Sequence, residues 1–220
     1  MGMFRARSAA SIPIVRFVAI LFAAALLAGA SCRPVYSDRP MGAAPVALPN
    51  ARLAIDGLWC SRRDKSQCWS VGIADADNGV VALAPVRGPH TDGAVHVHVR
   101  HAVTPKGRPE ELGFLILSEQ DAVLKGSYLW ALAAPVDPSL LLVWFPFAHN
   151  EVFARMVERG ELPGRIVAAA AGRSALLGEK TEQTVILENL TDEHLQRIID
   201  RRGQLFDLSM TFVYERVWPR

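Results

Sequence analysis

The chain has 220 residues, 24 of them basic and 22 acidic, is half hydrophobic, and has a mean hydropathy of +0.17. That length suits one domain with a sizeable core. The near-balanced charge and the lack of any Lys/Arg run argue against nucleic acid as a partner.

The amino terminus carries the first signal. Arg5, Arg7 and Arg16 precede or open an unbroken apolar run, "FVAILFAAALLAGA" (17–30), and residues 1–31 contain no acidic side chain. As a helix this run would reach only about 21 Å, against a hydrocarbon core of roughly 30 Å. A basic front, a short apolar run and small residues after it are the layout of a secretory signal peptide. Removing its three arginines would leave 21 basic against 22 acidic residues, so the basic pI belongs to this segment.

Two cleavage points fit. Ala28-Gly29-Ala30 suits an ordinary signal peptidase and would free Ser31. Alternatively, "LLAGASC" resembles the lipobox of bacterial lipoproteins, with Cys32 as the lipidated residue and Gly29 where leucine is usual. Prolines 34, 40, 45 and 49 then mark 32–50 as a Pro-rich linker or tether outside the core. A single globular domain is expected over 51–220.

From residue 51 the pattern is mostly period two. "RLAIDGLWC" and "CWSVGIADA" read as a hairpin that sets Cys60 opposite Cys68 and Trp59 opposite Trp69. Sulfurs and indoles would then lie on opposite faces, because side chains alternate along a strand. In an oxidising compartment Cys60 and Cys68 are expected to form a disulfide, worth about 2–3 kcal/mol. "DNG" (77–79) is a tight-turn signal leading into "VVALAPV". Further strands are expected in "LGFLILS", in "SYLWALAAP" and "LLLVWFPF" around the turn "VDPS", and in "VILEN". A last one covers "FDLSMTFVYERVW", with Leu208, Met210, Phe212 and Tyr214 on one face.

Two helices interrupt the strands. The first, 149–160, sets Val152, Phe153, Met156 and Val157 on one side and ends at Gly160. In the second, 190–203, Thr191 is the N-cap, Leu190 and Leu195 form a hydrophobic staple, and Gly203 closes it. The fold class is therefore α+β: mainly antiparallel sheet, curved or barrel-like, with two short packed helices.

"AVHVHVRHAV" (94–103) poses the chemical question. His96 and His98 share a strand face and are spaced to converge on one metal ion. Arg100 shares that face and would oppose a bound cation, while His101 points away with the valines. The reading adopted is an amphipathic strand with its valines toward the core, and no metal site or other cofactor is assigned. "GRSAL" (172–176) lacks the second glycine of a nucleophile elbow, and Glu110–Glu111 and Asp192–Glu193 sit at element starts. No catalytic residue is assigned. Trp130, Trp144 and Phe145 are read as core in preference to a ligand box.

The order of pieces resembles a group of uncharacterised bacterial envelope lipoproteins. The motifs carrying the likeness are "IDGLW", "YLWALAAPVDPSLLLVWFPFAHNEVFARMVERGELPG" and "VILENLTDEHLQRIIDRRGQLFD". It implies an exported domain tethered by Cys32 to a membrane facing the periplasm, with the outer membrane favoured because Arg33 is not the retaining Asp. Without lipidation the domain would be free in the periplasm. The expected function is a non-enzymatic module that binds or scaffolds an envelope protein partner. The alternatives are a carrier of a small apolar ligand in a curved-sheet cavity, and a metal-dependent enzyme using His96 and His98.

Overall fold

The computed structural model describes residues 35–48, 55–86, 94–102, 113–117, 127–146, 149–168 and 183–217. Residues 1–34, including Cys32 and the signal segment, lie outside it, as do "GRSAL" and Glu110–Glu111.

Eight strands follow one another as antiparallel neighbours. They are β2 (Gly57–Ser61), β3 (Cys68–Asp75), β4 (Val80–Pro85), β5 (Val95–His101), β6 (Gly113–Leu117), β7 (Tyr128–Asp137), β8 (Leu140–Trp144) and β11 (Phe212–Val217). β6 pairs with both β5 and β7, and β11 pairs with both β8 and β2, so the pairings run through a full circuit. The α+β, barrel-like expectation holds. An eight-stranded barrel has an interior just wide enough to be filled by side chains or to hold one small ligand.

The remaining strands extend from one side. β1 (Val35–Ser37) pairs antiparallel with the start of β7 and parallel with β10 (Gln183–Leu187), which pairs with β9 (Gly164–Ala168). Helices α1 (Asn150–Glu158), α2 (Asp192–Asp200) and the short α3 (Arg202–Leu205) accompany this flank, α1 touching β9, β10 and α3.

Over its described part, residues 35–48, the linker expected across 32–50 is instead packed into the fold. Val35 is fully buried, and Tyr36, Met41, Val46 and Leu48 are buried too. Beyond β1 the chain runs beside the end of β5: Ala43 N–H donates to His101 O (2.9 Å), His101 N–H to Ala44 O (2.8 Å) and Val46 N–H to Val99 O (2.9 Å). Proline is tolerated here because the segment is an edge strap with every second N–H facing away from its partner. The β3–β4 turn must let the strap pass. At Gly79, with φ +64°, an added Cβ would meet Val99 O at 2.6 Å and Val46 O at 2.9 Å, so only glycine fits.

Two other expectations are corrected. The second helix pauses at Arg201 and resumes through Gly203, because Leu205 and Phe206 must be buried one turn further on. The final strand begins only at Phe212. Asp207 accepts hydrogen bonds from the N–H and hydroxyl of Ser209, winding 208–210 into a 3-10 turn that leaves Leu208 49 % and Met210 38 % exposed.

Around Thr191 the cap is reciprocal, with Thr191 N–H donating to His194 Nδ1 (3.1 Å) where Glu or Gln is usual. Helix α1 buries Phe153 and Met156 and ends at Gly160, φ +68°.

Candidate functional site: an apolar cavity inside the barrel

The alternation along each barrel strand decides what faces inward. Val95, Val97 and Val99 of β5 are buried, whereas His96, His98 and Arg100 are half-buried on the other face. On β7, Leu129, Ala131 and Ala133 join the interior cluster, while Trp130 and Leu132 join the core beneath the helices. Small alanines on one inner wall leave room. The interior holds a cavity of about 140 Å³.

Its wall is built from most of the barrel. Trp59 and Trp69 are directly paired across β2 and β3 and both line it, with Val71, Val81, Leu83 and Val97 continuing around the sheet. Leu129, Ala131, Leu141, Val143 and Phe145 form the other side, Trp130 contributes from β7, and Tyr214 enters from β11. Trp59 Nε1–H is satisfied by Ile55 O at 2.6 Å. Phe145 and Phe212 meet edge to face at 5.4 Å.

The two barrel ends differ. At the end holding the β3–β4 turn, Val46 and Leu48 of the strap pack into the interior cluster beside Val81 and Val99. There Arg216, in register with Trp59, crosses Gly57, and its Nη2 lies 3.3 Å from Asp56 Oδ1. The opposite end carries the 61–68 link. Cys60 and Cys68 are bonded there, in the register read from sequence, and Arg62 and Lys65 both reach Glu215 of β11. Those two cations hold the Glu215 carboxyl below its usual value, the Lys65 hydrogen bond contributing most.

The histidine strand gathers no metal set. Among the described residues no group of three or more His, Cys, Asp or Glu is placed to hold an ion. The His98 imidazole is shifted below its usual value, first by burial and then by the Arg100 and His96 charges, which favours the neutral ring. Of the aromatics read as core, Trp130 is 1 % exposed and Trp144 donates to Thr211 Oγ1 at 2.8 Å. Phe145 packs against the interior cluster and, like Trp130, also lines the cavity.

Sequence reasoning paired Trp59 with Trp69 but gave the pair no role, and it placed Tyr214 only on a common strand face. The one available signal was the inward run of alanines on β7. The wall offers no carboxylate, imidazole or thiol among the described residues. Its one titratable group is the Tyr214 phenol, which burial pushes up to about 12, so it stays protonated at neutral pH. Such a wall can enclose and orient an apolar molecule.

Compared with protein-family models, with curated proteins and with solved structures, the chain matches none.

Proposed function

We propose that this protein is a carrier that encloses a small, largely apolar molecule in its barrel. Of the three readings open from sequence, this one has a specific observation behind it, the cavity of about 140 Å³ walled by Trp, Phe, Val, Leu and Ala side chains. That volume matches apolar cavities of about 150 Å³ that stay dry and accept a benzene-sized guest. The expected occupant is therefore a single ring or a branched chain of about six carbons. The test is a titration of the purified protein with toluene and cyclohexane, read by tryptophan fluorescence and calorimetry. Saturable binding at one site per chain is expected; a linear response with no saturation overturns the reading.

Export to an oxidising envelope compartment and tethering through Cys32 belong to the same proposal. The Cys60–Cys68 bond supports the compartment, since disulfides persist where thiols are not kept reduced. The apolar run 17–30 and the lipobox-like "LLAGASC" support the tether. Intact mass of the protein from a membrane fraction would report the cleavage point and any acyl chains; an unprocessed cytosolic chain would overturn it.

A further inference from the structure

Burial along the cavity wall shows where the cavity nears solvent. Only Trp69, Leu83, Phe145 and Tyr214 of its lining residues are half-buried; the others are buried. Trp69 lies at the start of β3, Leu83 near the end of β4 and Phe145 just past β8, so the mouth is at the end that carries the 61–68 link. Apolar side chains continue outward from it. Val86 follows β4, its N–H donating to Cys68 O at 3.0 Å, and the 208–210 turn leads into β11. Val86, Leu208 and Met210 are all exposed. Charge separates the two ends further. The link carries Arg62, Arg63 and Lys65, all exposed, against Asp64, and Glu215 meets two of the three cations. The turns of the opposite end carry exposed Asp75, Asp77 and Asp137 and no Lys or Arg. That end exposes Ile73, Val136 and Val217, but the strap covers it, with Val46 and Leu48 in the interior cluster.

Resting on the carrier reading, we infer that the mouth end of the barrel docks on an anionic lipid bilayer, from which the cavity takes its apolar ligand. Exposed apolar side chains around a cavity mouth mark a contact surface, and cations beside them fit lipid phosphates. Val86, Leu208 and Met210 enter the boundary between headgroups and acyl chains, while Arg62, Arg63 and Lys65 stay at headgroup level. An apolar guest is concentrated in lipid and scarce in water, so a mouth pressed to the bilayer spares it the aqueous passage. The acidic turns of the opposite end are repelled by the same surface. The amino-terminal chain enters the fold at the mouth end as well. β1 pairs Tyr36 and Ser37 with Leu129 and Tyr128, the first two residues of β7. Cys32 precedes Val35 by three residues, a reach of at most about 11 Å.

The test places a nitroxide on Met210→Cys at the mouth, or on Val217→Cys at the opposite end, in the full chain. Cys32→Ser in both leaves the new thiol as the one labelled, since Cys60 and Cys68 are bonded. Each protein is mixed with vesicles of phosphatidylcholine alone or with phosphatidylglycerol added, and accessibility to oxygen and to a polar nickel chelate reports lipid immersion. The label at 210 should enter lipid on the phosphatidylglycerol vesicles and the label at 217 should stay in water. Arg63→Ala, at an exposed site that does not threaten the fold, should lower the immersed-to-aqueous ratio at 210 about fivefold, the effect of one cation near an anionic surface. Both labels remaining in water, or 217 entering in place of 210, overturns the inference. Equal immersion at 210 on the two kinds of vesicle, or no change with Arg63→Ala, overturns the anionic assignment. Toluene titration of the same proteins separates the two readings. Saturable toluene binding without docking leaves the carrier and removes the membrane surface; docking without toluene binding keeps the surface and overturns the carrier.

Discussion

Alternate residues of β7 line two different apolar spaces, one inside the barrel and one between its outer wall and the helices. Outward, Trp130 meets Phe153 and Phe206 with ring centroids 5.9 and 6.0 Å apart, each pair edge to face, and none of the three is more than 1 % exposed. Inward, the same strand offers Ala131 and Ala133 to the interior cluster, and Ala131 lines the cavity. One strand thus supplies both a saturated core and an unsaturated one. The contrast teaches that the cavity is not a failure of packing in general. This chain packs large rings tightly where it needs a joint between layers, and withholds volume where the barrel encloses space.

Three measurements test that contrast. The largest effect is expected at Phe153, whose ring is fully buried between Trp130 and Phe206. Phe153→Ala should cost about 3–5 kcal/mol in urea unfolding. A loss under about 1 kcal/mol would mean that the flank is no better packed than the barrel. Next is the hairpin at the barrel end. Replacing Cys60 and Cys68 by alanine should cost about 2–3 kcal/mol in the chain-entropy account. It should also weaken ligand binding by loosening the Trp59–Trp69 pair; unchanged affinity would detach the hairpin from the site. The smallest effect has the opposite sign. Ala131→Leu should fill part of the cavity, raise stability by about 1 kcal/mol and abolish binding of ring-sized guests. Destabilisation of that size would show the interior already full.

Much of the barrel was legible before any coordinates. Alternation in "VHVHVRH" told which face of β5 is buried, and the Cys60–Cys68 and Trp59–Trp69 registers followed from strand geometry alone. The strap escaped because its residues say little locally. Val35, Val46 and Leu48 are isolated among prolines, and what orders them is the free edge that β5, β7 and β10 present, a long-range property. β9 was passed over for the same reason, five residues whose pairing depends on β10. The Leu208–Met210 turn was misread because apolar alternation outweighed a single Asp207, whose side chain closes the turn. The site was half visible: the pattern identified inward residues, but whether they fill the interior depends on how the circuit closes.

The strap also has a practical consequence for where the protein can be cut. A fragment started at residue 51, the boundary that composition suggests, would lack Val46 and Leu48 from the barrel end and leave β7 and β10 without the strand between them. Such bared backbone recruits other chains. Recombinant versions intended for crystals or spectroscopy should therefore begin no later than residue 34, and one trimmed further would be expected to precipitate.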